Sequence, residues 1–172
     1  MTNNHYNIDM ETKIIQLNNF EELNELITVF EIVFEMENFE RPSQSHLNNL
    51  LNNRNFFAVI AKTENKIIGG LTVYILDQYY SEKPLAYIYD LAVLSEFQRK
   101  GVGRKLINFT NEYCKKNGFE EVFVQADKVD DYAIDFYRLT KPTNEEEVVH
   151  FNYKLTDEKD KFRNNNTRTT NR

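Results

Sequence analysis

The chain has 172 residues, 41% hydrophobic and 28% charged, with one cysteine and a formal net charge of −6. That length supports one continuous core without metal or disulfide help, and a single cysteine excludes an intrachain disulfide. Three scattered histidines (His5, His46 and His150) exclude a Cys/His metal cluster, and neither a signal-peptide pattern nor a membrane-length apolar run is present, so a cytoplasmic protein is expected.

Charge is unevenly distributed. From Thr156 onward five basic residues stand against three acidic ones, which leaves 16 basic against 24 acidic residues before it, a net of −8. An acidic body argues against a nucleic-acid partner, whose attraction needs a basic face; it suits a cationic small molecule, or serves solubility alone.

Residues 1–9 are polar and expected to be loose. Thr12–Leu17 reads as a short strand. Asn18 with Glu21 three places on resembles a capping box, and Leu23, Leu26, Ile27, Phe30, Val33 and Phe34 then follow the spacing of one buried helical stripe. Glu35–Arg41 shows no period and reads as a loop. A shorter helix after Pro42 carries Leu47, Leu50 and Leu51. Phe56–Ala61 and Lys66–Leu76, linked by the polar Lys62–Asn65, read as an antiparallel hairpin, with Gly69-Gly70 marking a bulge or a close backbone approach.

Leu85–Val93 is a third strand of this group. A helix opens at Gly101 with Val102, Leu106, Phe109 and Tyr113 on one side, and Asn117-Gly118 closes it. Glu121–Ala126 reads as a strand, Asp131–Leu139 as a short helix and Glu146–Leu155 as a last strand. The tail 156–172 is polar and expected to be disordered. The order β-α-α-β-β-β-α-β-α-β predicts a single domain over residues 10–155. Its architecture is α/β: a mixed, mostly antiparallel six-stranded sheet with helices on both faces.

The segment Gln98-Arg99-Lys100-Gly101-Val102-Gly103 follows a strand and opens a helix. The first N–H groups of a helix lack internal partners, and the helix dipole favours an anion there. Glycines at 101 and 103 let a phosphate approach the backbone, while Arg99, Lys100 and Arg104 make the rim positive. A diphosphate-bearing ligand fits. The spacing is neither a Walker loop nor a dinucleotide fingerprint.

Asp90 stands out chemically, as a carboxylate in the otherwise apolar strand Ala86–Val93. Strand alternation places it on the face of Ile88 and Ala92 unless a bulge intervenes. A partly desolvated carboxylate there is suited to holding a substrate ammonium and accepting its proton; the alternative is an Asp fixing backbone amides at a bulge. Asp127, Asp130 and Asp131, with Glu145, Glu146 and Glu147, would form an anionic mouth, and Asp131 is a candidate helix cap. Tyr137 is either a proton donor beside the cleft or a core tyrosine packed on Phe136. Cys114 and His150 read as structural.

The loop Gln98–Gly103, the strand Ala86–Val93, the frame Ala133-Ile-Asp-Phe-Tyr137 and the element order over roughly Lys13–Leu155 resemble the GNAT acetyltransferase superfamily. The resemblance implies acetyl-CoA as co-substrate, its pyrophosphate on backbone amides of Gln98–Arg104 and its pantetheine arm paired with Leu91, Ala92 and Val93. It also implies Tyr137 as the acid that protonates the departing thiolate. Tyr87–Val93, Val124–Asp127, Asp130-Asp131, Phe136-Tyr137 and Val148–Phe151 together are similar to the gentamicin-type aminoglycoside 3-N-acetyltransferases. Two departures stand: no glycine in Arg138–Pro142, and Asp130 where many such enzymes carry Asn. The resemblance implies direct acetyl transfer to the 3-amino group of an aminoglycoside, an antibiotic-resistance activity. Another small amine, a polyamine or a peptide amine remains an alternative acceptor, a non-catalytic acyl-CoA-binding module an alternative role. The sequence leaves open whether the protein is a homodimer.

Overall fold

The computed structural model describes residues 9–155. The expected loose N-terminus (apart from Asp9) and disordered tail lie outside them. The described residues divide into two units, the larger comprising residues 9–36 and 40–125 and the smaller residues 37–39 and 126–155.

The larger unit is a five-stranded sheet with three helices. Its strands are β1 (Glu11–Ile14), β2 (Phe56–Thr63), β3 (Lys66–Leu76), β4 (Leu85–Val93) and β5 (Glu121–Val124), and its helices are α1 (Phe20–Val33), α2 (Gln44–Leu51) and α3 (Val102–Lys116). The spatial order is β1-β2-β3-β4-β5. Every pairing is antiparallel except β4 with β5, which are parallel and joined through α3.

Local chemistry explains these elements. Glu64 and Asn65 both take positive φ (49° and 65°) between the paired Thr63 and Lys66, a two-residue turn whose twist matches the β2–β3 hairpin. At the end of α3, Gly118 (φ 77°) turns the chain so that its N–H donates to the Lys115 carbonyl and that of Phe119 to Cys114. The α1 cap sits one residue later than expected. Asn18 instead adopts φ 64°, and the side chain of Asn19 accepts the Glu22 N–H at 3.2 Å. Both asparagines suit a cap, and the helical phase alone does not choose between them.

Gly69 and Gly70 mark both a bulge and a close approach. Ile68 is the extra residue where β2 and β3 slip register. A Cβ on Gly70 would lie 2.5 Å from a Leu26 methyl and 2.7 Å from the Val59 carbonyl, so only glycine lets α1 sit this close to the sheet. On that face Leu23, Leu26, Val29 and Phe30 of α1 and Leu47 and Leu51 of α2 join Phe56, Ala58, Ile60 and Ala92 in one core. The alternate residues of β2 face α3, as in the Phe57–Tyr113 ring pair with centroids 5.1 Å apart.

The smaller unit holds α4 (Asp131–Leu139). The expected strand 146–155 is absent: the segment forms no ladder among the described residues, and Val149, Phe151, Tyr153 and Leu155 are exposed. Alternation marks a segment able to line a sheet, but a strand exists only where another supplies its hydrogen bonds.

One charge cluster ties α1 to the sheet. Glu22, 8% exposed, offers one oxygen to Lys13 of β1 (2.7 Å) and Lys62 of β2 (3.0 Å). Burial pushes its carboxyl up, but the hydrogen bonds and charges of the two lysines outweigh this and hold it below its usual 4.5. A lowered carboxyl stabilises the fold above that value and loses the contribution as pH falls below it. Glu22→Gln should therefore cost about 1–3 kcal/mol at pH 7, because two lysines lose their partner. Urea unfolding of both proteins should show the gap closing below pH 4.5.

Candidate functional site

The sheet opens at the middle of β4. Leu85–Ile88 pair with Glu121–Val124 of β5, and there the pairing stops. On the other side β4 stays on β3 to Val93. Among the described residues, the outer edge of Leu91–Val93 therefore belongs to no ladder.

The parting coincides with a bulge. Ile88 pairs with Val73 and Asp90 with Thr72, so Tyr89 is an inserted residue. This corrects the simple alternation. Asp90 shares a face with Ala92, Thr72 and Tyr74, the face covered by α1, while Ile88 lies on the α3 face. Asp90 is half-buried there. Thr72, opposite it, is 8% exposed, and its hydroxyl oxygen has no protein partner.

Around Asp90 the rings form a row. Phe56, Tyr74, Tyr87 and Phe123 occupy facing positions on β2, β3, β4 and β5, and Tyr89 inserts against Tyr74 and Tyr87 at 5.4 and 5.7 Å. Burial, then the neighbouring Tyr89 and Asp90, raises the Tyr74 phenol. Thr72 and this row were not legible as site residues. Tyr74, Tyr87 and Tyr89 are plain in the sequence, but their meeting depends on register and bulge.

Beyond Val93 the chain makes a short 3-10 turn (Ser95–Phe97) into the glycine loop. Gln98 builds this loop: its side-chain amide donates to the Val93 carbonyl at 3.0 Å and its backbone N–H to Ser95. Arg99 (φ 57°) and Gly101 (φ 86°) then take left-handed backbone and aim the chain into α3. A Cβ on Gly101 would meet nothing within 4 Å, so the conformation demands glycine there, and the space outside the loop is open. Lys105 is the first residue to find a helical acceptor, the Gly101 carbonyl, so the N–H groups of Val102, Gly103 and Arg104 face outward from the helix end. Arg99, Lys100 and Arg104 are exposed around them, with the Lys100 ammonium 5.6 Å from the Phe97 ring centre. The larger unit thus carries Asp90 and the open edge Leu91–Val93 on one strand, followed by a helix end with unbonded backbone N–H groups.

The remaining candidates belong to the smaller unit. Asp130, not Asp131, caps α4 by accepting the Ala133 N–H at 2.9 Å, and Asp131 is the first helical residue. Tyr137 packs edge-on to Phe136 at 5.0 Å. Glu145 is engaged by Arg138 in a two-point contact of 2.6 and 3.0 Å, which holds its carboxyl below the usual range. Glu146 accepts from Asn144 and Glu147 from Lys128, so much of the expected acidic mouth has partners in its own chain. Asp127 stays exposed. No metal-binding group of carboxylates, histidines and cysteines occurs among the described residues, and none of their helices is long and apolar enough to cross a membrane.

A profile of the acetyltransferase (GNAT) family matches residues 20–140. The crystal structure of an aminoglycoside acetyltransferase, meta-AAC0020, from an uncultured soil metagenomic sample in complex with sisomicin is 58% identical, covering 86% of this chain and 97% of that one with a TM-score of 0.84. A second aminoglycoside acetyltransferase from such a sample, HMB0005, is 30% identical over 87% of this chain and all of that one (100%), with a TM-score of 0.80. N-alpha-acetyltransferase 50 of Danio rerio is 32% identical over 75 residues, 43% of this chain and 44% of that protein, so the chain spans under half the length of this curated relative.

Cys114 stays apart from this chemistry. It is 1% exposed against the sheet, and burial pushes its thiol up to about 11. A covalent acyl-cysteine route needs a thiolate, which this residue does not offer near neutral pH. An aromatic disulfide reagent at pH 8 should leave it unlabelled in the folded protein and label one equivalent in urea.

Proposed function

The chain belongs to the GNAT acetyltransferase family, and from that premise we propose that it transfers the acetyl group of acetyl-CoA to the 3-amino group of an aminoglycoside. One observation carries the chemistry: a single strand, β4, leads from a half-buried carboxylate along an unpaired backbone edge to a helix end suited to phosphate. Acetyl-CoA, the family's co-substrate, brings an acyl thioester activated for attack by an amine.

Each part of the chain has a task on this reading. The N–H groups of Val102, Gly103 and Arg104 hold the pyrophosphate, with Arg99 and Lys100 adding charge and Gln98 keeping the loop docked. Backbone groups of Leu91, Ala92 and Val93 take the amides of the pantetheine arm as a missing strand would. Asp90 receives the substrate ammonium and accepts its proton, directly or through one water, so that the neutral amine attacks. A C–N bond forms and the C–S bond breaks, and Tyr137 gives its proton to the thiolate. We assign Asp127, Asp130, Asp131, Glu145 and Glu146 to the substrate's other ammonium groups, with Asp130 also serving its helix cap and Glu145 its arginine. The aminoglycoside class is supported by the 58% identity to the sisomicin-bound enzyme and by the net charge of −8 before Thr156. The 3-amino position rests on the sequence resemblance.

A peptide amine is the second reading, favoured by the partial likeness to an N-alpha-acetyltransferase. Thiol release from acetyl-CoA should be followed with sisomicin, gentamicin, spermidine and a short peptide, and the acetylated nitrogen located by NMR. Turnover of the two antibiotics at the 3-amino group is the expected result; turnover of peptide alone would replace the proposal. Asp90→Asn should lose at least about 100-fold in kcat while acetyl-CoA binding by calorimetry stays within two-fold. Tyr137→Phe should slow thiol release by about ten-fold or more, since water is a poorer positioned donor. Wild-type rates in either variant would remove that residue from the mechanism.

A further inference from the structure

The ring row beside Asp90 has no task in the chemistry above. A row serving only the core would be covered along its length. This one is buried at Phe56, half-buried at Tyr74, Tyr87 and Phe123, and 45% exposed at Tyr89. Register aligns Tyr74, Tyr87 and Phe123 across three strands, and Tyr87 and Phe123 lie nearly parallel, 10° apart with centroids at 4.9 Å. The Tyr87 hydroxyl donates to the Gln125 side chain at 3.1 Å, which fixes its ring at the β5 side. Tyr89 stands edge-on to both Tyr74 and Tyr87, at 78° and 82°. It is adjacent in sequence to Asp90, and the unpartnered Thr72 hydroxyl lies across the strand from that carboxylate.

We infer that this row is a platform for a sugar ring of the acceptor, with Tyr89 as the specificity-determining residue; the inference rests on the functional reading given above. The occupant follows from the chemistry of the surface. An amino sugar has a C–H face that packs on aromatic carbon, and its ammonium substituents are drawn both to ring faces and to a carboxylate. Tyrosine supplies that area with little side-chain entropy to lose. The bulge puts ring and carboxylate side by side, so stacking the ring and seating its amine at Asp90 are one placement. An open-chain amine could use Asp90 but would gain little from the rings.

The test compares Tyr89→Ala and Tyr89→Phe with the wild type. KM for sisomicin should rise about ten-fold in the alanine variant and stay within about two-fold in the phenylalanine variant, while KM for acetyl-CoA moves by less than two-fold in both. Saturation-transfer NMR, irradiating the aromatic protons, should mark the sugar C–H protons of sisomicin in the wild type and weakly in Tyr89→Ala. Four results overturn the inference: no change in the alanine variant, equal losses in both variants, a parallel rise in KM for acetyl-CoA, or no transfer to sugar protons in the wild type. If the wild type turns over sisomicin and any of these holds, only the platform falls. If the wild type neither binds nor acetylates an aminoglycoside, the functional reading falls and the platform with it.

Discussion

Two neighbouring parallel strands normally stay hydrogen-bonded along their length, because an unpaired backbone edge is costly inside a protein. In this chain β4 and β5 stay together for four residues and then separate at the bulge formed by Tyr89. Everything at the site depends on that separation. It leaves one edge of Leu91–Val93 outside any ladder of the described residues, while the bulge against β3 brings Asp90 to the α1 face. Were Tyr89 to alternate regularly rather than being inserted, Asp90 would share the face of Ile88, on the α3 side of the sheet.

The loop after β4 carries the chain from this edge through a short turn into the N-terminus of α3. Left-handed backbone at Arg99 is unfavourable for a residue with a Cβ, and Gly101 follows with the same sign two residues later. The Gln98–Val93 hydrogen bond, the burial of Val102 and the placement of Phe97 against the α1-side core offset that cost. In return the first turn of α3 starts at the end of the open edge.

How much of this was legible follows from which interactions are local. The helix end was readable because glycine, cations and a following amphipathic run occur within a few residues. The core stripe of α1 was readable from its period, although its cap was placed at Asn18 rather than Asn19. Asp90 was identifiable as an anomaly in an apolar strand, but its face was not, since a bulge is a property of the pairing with β3. The row from Phe56 to Phe123 was invisible for the same reason, because its members come from four strands. The expected strand at 146–155 shows the converse. Its alternation at Val149, Phe151, Tyr153 and Leu155 is clear, yet alternation does not name a partner.

The same division separates the two halves of the function. On the proposed function, binding of acetyl-CoA draws on backbone groups and a helix dipole, which many sequences provide once the fold and a few glycines are present. Such a site identifies a family and says little of the acceptor. On the proposed function the acceptor side is built from side chains whose identities matter: a carboxylate at a bulge, a hydroxyl opposite it and rings at set register positions. A change at Tyr89 or Thr72 would leave the sheet, the open edge and the cradle in place and still alter which amine is received. On the proposed function, part of the acceptor choice falls to the α1-side face of β3 to β5, where a one-residue shift in register would rearrange every contact at once.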